Sequence, residues 1–426
     1  MLRSIIRKEI LLNLLSYKFS IITLLSTLLI LASMFVMYGN YLLALDNHDM
    51  LLAEFDGRGQ VRAQVLAPTP LGIFAKGLDE NLCRAWRFAL LRVLVYGDKQ
   101  KSLNDLFKLF TAPDLLYVIR VILSLCAMLF AFDVVCGEKE TGTLRQSLSC
   151  SVRRPTLIAG KWIGGFTSFI LPFFLAVLLG TIFVSLLPMV QMNGQDWAKL
   201  GLFLFIAVIY LAAFFSLGLL ISCLTRHAST SLVLSLSAWT ILVFLIPHLG
   251  NLLARQVVPI PTARQLNLRH EQLRHQANSE LEQIPKTAPD FARRKMALIL
   301  RFEAESSKLD EDYRNRLYRL VKASQNITHL SPAPAFTFLA TDIMGTGVAE
   351  ERKLKMAVQS YKDFGLQRWA ASENPEEESE PPFHYQRSSI PEILDQGGLS
   401  NALILLLFNL LFLTGAYVAF LRYDAR

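Results

Sequence analysis

The chain has 426 residues, of which 53% are hydrophobic and only 18% are charged, and its formal net charge is +8. A chain of this composition would not stay in solution, so a soluble globular protein is excluded. The basic excess lies in short segments beside apolar runs. This pattern marks membrane topology and excludes a nucleic-acid-binding surface as the origin of the charge.

Residues 1–17 are predicted to form an amphipathic helix at a membrane surface. Apolar and basic residues recur there at helical spacing on opposite sides, with Leu2, Ile5, Ile6 and Ile10 facing away from Arg3, Arg7 and Lys8. The alternative is that this stretch is only the start of the first membrane span.

Six apolar runs have roughly the 20 residues that a bilayer-spanning helix needs. They lie at residues 18–44, 114–135, 158–188, 200–223, 229–253 and 398–421. The first run is too long for the apolar core of a cleaved signal peptide, and no small-x-small cleavage site follows it. The sequence therefore predicts an all-α polytopic membrane protein with six transmembrane helices.

Lysine and arginine in the short connecting segments predict the orientation of the chain. Four segments carry most of the basic excess, namely 1–17, 136–157, 224–228 and 422–426, whereas residues 255–396 hold 20 basic and 20 acidic side chains. Because basic segments stay inside, both termini are predicted to be cytoplasmic. The expected location is the bacterial cytoplasmic (inner) membrane, with segments 45–113, 189–199 and 254–397 outside.

The segment at 45–113 is predicted to be a small mixed region. Residues 60–65 alternate like a strand, and residues 78–96 are predicted to be helical.

The segment at 254–397 is predicted to be a mostly helical extracytoplasmic domain. Residues 264–282 and 291–325 favour two helices, and the narrow apolar stripe of the second suits a helical hairpin. Residues 335–344 predict a short helix along the outer membrane surface, and residues 371–382 an acidic linker. The hairpin is either a solvated surface or the binding site of an extracytoplasmic protein partner.

Nothing in the sequence supports catalysis by this chain alone. It has no G-x-x-x-x-G-K-[ST] phosphate loop, because Gly160-Lys161 is followed by Trp162, and it has no G-x-S-x-G or H-E-x-x-H motif. Of the five cysteines only Cys83 falls in an outer segment, so no internal disulfide is predicted there, and no pair has metal-ligand spacing. No catalytic, metal or cofactor residue is therefore predicted.

The most informative stretch is Phe132 to Lys161, which reads FDVVCGEKETGTLRQSLSCSVRRPTLIAGK between two apolar runs. A loop this polar must lie at a membrane face, because unsatisfied backbone groups in hydrocarbon cost several kcal/mol each. Gly137, Gly142 and Pro155 interrupt a turn or two of predicted helix, as in a short docking element. The simpler interpretation is an ordinary polar loop that obeys the positive-inside rule.

This stretch resembles the membrane subunits of type-2 ABC exporters, the ABC-2 permease family, and in particular the branch with nitrous-oxide-reductase maturation and gliding-motility permeases. The matching residues are Phe132-Asp133, Gly137-Glu138-Lys139-Glu140, Gly142-Thr143-Leu144, Leu148-Ser149, Arg153-Arg154 and Gly160-Lys161-Trp162-Ile163-Gly164-Gly165. A second match, Leu330-Ser331-Pro332-Ala333 with Gly345-Thr346-Gly347, resembles the branch with a large outer domain between spans five and six. The chain departs from the family in lacking a proline near Cys150-Ser151.

The resemblance implies that residues 138–151 form a coupling helix that binds a separate ATPase subunit. The implied docking residues are Gly137, Glu138, Lys139, Glu140, Gly142, Thr143, Leu144, Arg145, Leu148, Arg153 and Arg154. The acidic residues near the start of such a helix and the arginines past its end suit the helix dipole. Two cytoplasmic ATPase subunits would bind ATP and Mg²⁺, and a second permease subunit, identical or related, would complete the membrane unit.

Three further features are candidates for function within the membrane. Arg120 lies about 10 Å inside the second span, and either contacts a cavity or substrate headgroup or extends to the outer interface. Asp133 is expected to be an interfacial anchor or an ion-pair partner. Gly160, Gly164 and Gly165 favour close helix packing over a direct transport role.

The sequence thus favours an ABC permease that couples ATP hydrolysis to export of an amphiphilic or unknown substrate. One alternative is the same assembly transmitting force to an extracytoplasmic partner without transport. Another is a membrane scaffold or sensor unrelated to ABC transporters.

Overall fold

The computed structural model describes residues 2–56, 63–82, 85–89, 92–96, 113–149, 153–285, 291–371 and 383–422. Within these residues six helices are long and apolar enough to cross a membrane. They are spans one to six: Tyr17–Ala53, Leu115–Glu140, Arg154–Ser185, Gly194–Leu224, Ala228–Val257 and Ile390–Leu421. The predicted helical, multi-pass membrane fold is confirmed.

Each span is longer than its predicted apolar run, because helix ends are set by capping groups and not by hydropathy. Span four begins six residues early, at a capping box in which Asn193 and Asp196 accept from each other's backbone N–H groups. Three spans contain wider π-helical turns, at Val118–Leu123, Ile241–Leu245 and Leu394–Gly398. The last of these is kinked at Gly397, where φ is 116°.

Spans two and four form the centre of the bundle. In each, 72% of the most apolar window is buried, against 22% in spans five and six. Span four packs against spans two and six, while span three packs against span one. The centre is rich in aromatic side chains, and Tyr210 and Phe214 stack edge to face there.

The bundle has two ends, which we name by what they carry. The basic face holds helix α1 (Leu2–Leu14), the end of span two with helices α3 (Cys136–Glu140) and α4 (Thr143–Ser149), and residues 225–227. The domain face holds the start of span four and the described parts of residues 63–96 and 258–389, including helix α2 (Asp79–Leu82).

The small region on the domain face contains a three-stranded antiparallel sheet of order β1-β2-β3. The strands are Ala63–Val65, Ala85–Ala89 and Arg92–Tyr96, with Ala63 opposite Arg87 and Trp86 opposite Val95. The predicted helix at 78–96 is therefore wrong beyond Leu82, because its second half alternates with period two and contains β-branched residues. Of the predicted strand at 60–65, residues 60–62 lie outside the described residues.

The larger domain contains helices α5 (Ala263–Glu282), α6 (Phe291–Thr328) and α8 (Val348–Ala371). Helices α5 and α6 form the predicted hairpin, in which His270 Nε2 lies 3.0 Å from Asp310 Oδ1. Helix α8 packs along α6 as well, and Lys362 Nζ lies 2.5 Å from Glu303 Oε1. Of the acidic linker, residues 372–382 lie outside the described residues.

Helix α7 (Pro332–Ile343) does not lie along the membrane surface, contrary to the sequence prediction. All of its residues except Asp342 are buried, and the Phe336 ring stacks on Tyr210 of span four at 4.3 Å. Ser331 caps its start and also donates to the Leu242 carbonyl of span five. A helix that is apolar on all sides belongs inside the bundle, where every side can be covered by protein.

Candidate functional site

The coupling segment, residues 136–149, begins where span two breaks. The helix of span two stops at Ala131, four residues form turns, and α3 then starts at Cys136. Gly142 has a left-handed φ of +78°, which separates α3 from α4. The single helix predicted at 138–151 is therefore wrong: two short helices meet at a glycine turn, and residues 150–152 lie outside the described residues.

Two serines from other spans stabilise this break. Ser222 Oγ of span four accepts hydrogen bonds from the N–H groups of Val135 and Cys136, both at 3.0 Å. Ser231 Oγ of span five donates to the Phe132 carbonyl at 2.6 Å. Backbone groups released by a helix break must find partners when buried, and here spans four and five supply them.

Glu138 points toward the bundle and pairs with Lys161 of span three. Its Oε1 lies 2.7 Å from Lys161 Nζ, which also lies 3.1 Å from Glu9 Oε1 of α1. Lys161 is only 2% exposed, so a buried cation is held between carboxylates from two different elements. Such an arrangement is costly to break, because removing one partner leaves charge buried without compensation.

Lys139 caps the end of span four. Its ammonium group donates to the carbonyls of Ser222 at 3.4 Å, of Cys223, and of Thr225 at 2.9 Å. The last carbonyls of a helix have no partner within it and carry partial negative charge, so a lysine satisfies them both by hydrogen bonding and by charge.

Glu140 reaches the start of span five. Its Oε2 accepts a hydrogen bond from the Ala228 N–H at 3.0 Å, and its Oε1 lies 4.0 Å from His227 Nδ1. A carboxylate at a helix start accepts hydrogen bonds from unpaired N–H groups, and its negative charge interacts favourably with the positive end of the helix dipole. The sequence predicted that Glu140 lies near the start of its own helix and stabilises that helix. In the structure Glu140 lies at the end of α3, so the helix it stabilises in this way is span five.

Residues on either side of the coupling segment join the remaining spans. Asp133 forms an ion pair with Lys18 at the start of span one, and the Lys18 ammonium lies 4.9 Å from the Phe132 ring centroid. Arg154 donates to the Leu421 carbonyl at the end of span six at 2.8 Å, while Arg153 is the residue before span three. The coupling segment and its flanks thus contact α1 and all six spans.

The charged side chains of α3 are directed to neighbouring helices, and the exposed surface of the segment lies mainly in the residues that follow. We define the docking face as the exposed residues Thr141, Gly142, Thr143, Arg145, Gln146 and Ser149. On the opposite side of α4, Leu144 is fully buried in a cluster with Leu157, Cys223 and Phe420, and Leu148 is partly buried against the same cluster. The docking face is therefore polar, outward-facing and anchored from behind by apolar packing.

The three glycines of span three lie at close helix contacts. A Cβ atom at Gly160 would lie 2.6 Å from Ile5 Cγ2, and one at Gly164 would lie 2.7 Å from Glu9 Cβ. A Cβ atom at Gly165 would lie 2.8 Å from Phe215 Cζ of span four. These positions allow α1 on one side and span four on the other to approach the span three backbone.

Arg120 is far from the coupling segment, in the π-helical turn of span two. It is 5% exposed, its guanidinium carbon lies 5.7 Å from the Tyr117 ring centroid, and its carbonyl accepts from Tyr210 Oη at 2.8 Å. Nearby Asp114, which caps span two at the domain face, has its pKa raised to about 6 by burial. In this conformation Arg120 is enclosed by protein.

Sequence reasoning did not identify four of the residues that position the segment. Ser222, Ser231, Glu9 and Lys18 make their contacts with residues between 86 and 152 positions away, which no local pattern reveals. For these positioning residues the sequence offered two signals, a serine within an apolar run and a lysine at the end of a span. Within the described part of the chain, no three His, Cys, Asp or Glu side chains form a group that could hold a metal ion.

Comparison with known proteins gives one family. A search of the curated proteins found no match to the chain. The family model described as "ABC-2 family transporter protein" matches residues 3–425, nearly the whole chain. The chain therefore belongs to the ABC-2 family, whose members are the membrane permease subunits of ATP-binding cassette transporters.

Proposed function

We propose that this permease couples ATP hydrolysis by a separate ATPase subunit to export of an amphiphilic substrate. The observation that carries the proposal is the arrangement of residues 136–149. Glu138, Lys139 and Glu140 bind other helices, while the docking face remains exposed on α4. A surface element that is bonded to its surroundings moves them when it is pushed, and this is what coupling requires.

The docking face is where the ATPase would bind. Its hydroxyl, amide and guanidinium groups offer polar contacts without buried charge, as is usual at the rim of an interface. Leu144 and Leu148 secure α4 from behind, so a push on α4 is passed to spans three, four and six. The Glu140 contact transmits the same push to span five, and the turn at Phe132 transmits it to span two. Tilting of spans two and five would then open the substrate path.

The proposal includes the rest of the assembly. Two ATPase subunits, which bind ATP and Mg²⁺, would dock on two permease subunits in the bacterial inner membrane, with the basic face and both termini in the cytoplasm. The arginines and lysines of the basic face, including exposed Arg3, Arg7 and Lys8, support this orientation.

A co-purification experiment tests the proposal. We expect an ABC ATPase to be recovered with the tagged chain from detergent-solubilised host membranes, together with ATP hydrolysis. The variant Thr143→Trp/Gln146→Trp should lower recovery at least about tenfold, the loss expected from one interface hot spot. The matched control Gln195→Trp changes an exposed residue on the domain face and should have no effect. Normal recovery with the docking-face variant would contradict the proposal.

A second candidate function is transmission of force to an extracytoplasmic partner. Span five continues without interruption to Val257, and α6 packs on its end so closely that a Cβ at Gly250 would lie 2.4 Å from Thr328 Cγ2. His329 also contacts Asn401 of span six at 2.9 Å. Movements of spans five and six would therefore move the hairpin. Family membership favours both ABC interpretations over an unrelated scaffold.

A further inference from the structure

We propose that Lys161 is a positioning residue that joins α1 to the coupling segment, so that movement of the docking face also moves α1 and span one. This inference rests on the proposed docking of an ATPase. It assigns α1 a role in the transmission of force, beyond lying at the membrane surface.

Lys161 is the centre of an ion cluster that joins two elements. Lys161 contacts Glu9 of α1 at 3.1 Å and Glu138 of the coupling segment at 2.7 Å, and no more than 24% of any of the three side chains is exposed. Glu9 and Glu138 belong to elements that lie far apart in sequence, and they are connected here through one ammonium group. Neither carboxylate can withdraw without leaving buried charge uncompensated.

The cluster also contains an acceptor that the described residues leave unused. Glu138 Oε2 is buried and accepts no hydrogen bond from any residue that the structure describes. A lysine ammonium has three donors, so Lys161 can move between the two oxygens of Glu138 while it keeps Glu9. The cluster therefore tolerates a shift of the coupling segment without breaking, as a link that works during movement must.

Helix α1 is connected directly to span one. Helix α1 lies against Gly160 and Gly164, where added side chains would collide with Ile5 and Glu9. It continues into span one through a tight turn in which Ser16 Oγ donates to the Asn13 carbonyl at 2.6 Å. Lys18, just after this turn, pairs with Asp133. With so little free chain between them, α1 and the start of span one must move together.

Distance measurements between spin labels test whether α1 follows the coupling segment. In a background without native cysteines, labels are placed at Leu11→Cys on exposed α1, or at Gln146→Cys, each paired with Gln195→Cys on the domain face as the reference. The complex of the full chain with its ATPase is compared without nucleotide and with ATP. We expect both distances to change in the otherwise unmodified chain.

The variants Glu9→Gln and Glu138→Gln each remove one side of the link. Each should reduce the ATP-dependent change at position 11 and preserve the change at position 146, since Lys18 and Asp133 still join span one to the flank of the coupling segment. If position 11 moves as far in both variants as in the unmodified chain, or if it never moves in the unmodified chain, the proposal is overturned. Arg301→Gln, which disrupts an exposed ion pair on α6, should leave both changes intact.

A double-mutant cycle on ATP turnover by the same complex gives an independent readout. Each single variant should lower permease-dependent turnover at least about fivefold, the lower end of typical coupling between sites. The double variant should be no worse than either single variant, because both break one link. Multiplied effects would mean independent structural roles and would contradict the proposal, as would failure of Lys161→Arg to retain activity. Failure to recover any ATPase with the unmodified chain would instead reject the proposed function.

Discussion

At the scale of single residues, the positions of the charged side chains explain most of the contacts between helices at the basic face. The sequence identified the charged motif at Glu138 to Glu140 and predicted that it binds another protein. The structure directs these side chains to spans three, four and five, because each span end presents a charge or unpaired backbone groups that an ion can satisfy. These partners lie far away in the sequence, so the local pattern around Glu138 to Glu140 could not predict them.

Asp114 provides a residue-scale prediction for pH. Burial raises its pKa to about 6 from 3.8, although it accepts hydrogen bonds from the N–H groups of Tyr117 and Lys76. Between these two values the folded state binds more protons than the unfolded state, so this group lowers stability as pH rises from about 4 to about 6. The total contribution is ~3 kcal/mol.

The measurement is the melting temperature of the detergent-solubilised protein across that pH range. Asp114→Asn should reduce the fall in melting temperature with rising pH. It should also lower the melting temperature at the acidic end, since an amide nitrogen replaces one of the two accepting oxygens. Glu311→Gln on exposed α6 should leave the slope unchanged. An unaltered slope in Asp114→Asn would show that this carboxyl does not titrate as described.

At the scale of elements, periodicity predicted the spans and the hairpin but not the pieces that depend on their neighbours. The apolar runs gave six helices because bilayer length and hydropathy decide them locally. Helix α7 was predicted on the surface, although Pro332 to Ile343 is mostly apolar and the hydroxyls of Thr337 and Thr341 donate to carbonyls within the helix, so nearly all of it can be covered by protein. The break in span two at residues 132–135 was also missed, because Ser222 and Ser231 that stabilise it come from distant sequence.

Gly164 tests the packing of α1 as an element. In Gly164→Val the new side chain would meet Glu9 Cβ and the Ile6 carbonyl, so α1 should be displaced at a cost of ~1–3 kcal/mol. Hydrogen exchange of backbone amides in residues 2–14 should become faster. Gly201→Val is the matched control, because no atom lies within 4 Å of a Cβ at that position in span four. Equal protection of α1 in both variants would refute the described contact.

At the scale of the whole molecule, spans two and four are the buried centre, while the two faces carry different structures. The coupling segment and its flanks join all spans at the basic face. At the domain face α6 and α7 contact spans four to six, and α8 contacts span six through the Lys353–Glu392 ion pair. At this face the Ser388 peptide lies between two buried ions: its carbonyl accepts from Lys199, and its N–H donates to Glu350. A movement produced at one face therefore has a continuous protein path to the other.

Deleting most of the hairpin tests whether that path ends in a functional surface. His270 contacts Asp310 across the antiparallel pair, so residue 263 lies opposite about residue 317, and a short flexible linker can replace residues 264–316. No side chain described in that stretch is fully buried, whereas Leu320 and Val321 beyond it are buried and are retained. Membrane insertion and ATPase recovery should therefore persist.

Cellular activity should be lost if the hairpin delivers force to a partner. Loss of insertion or of ATPase recovery would mean that the hairpin is part of the structural core, against the burial described above. Full cellular activity of the deletion variant would eliminate the force-transmission candidate and leave export as the proposed function.

The most direct test of the central claim is site-specific photo-crosslinking at the docking face in the host cell. A photo-reactive amino acid at Gln146 should form a covalent adduct with a subunit that contains a G-x-x-x-x-G-K-[ST] phosphate loop. The same amino acid at Gln195, on the domain face, should not. Adducts with such an ATPase from position 195 but not from position 146 would reverse the assigned faces. Absence of an ATPase adduct from either position would contradict docking through this segment.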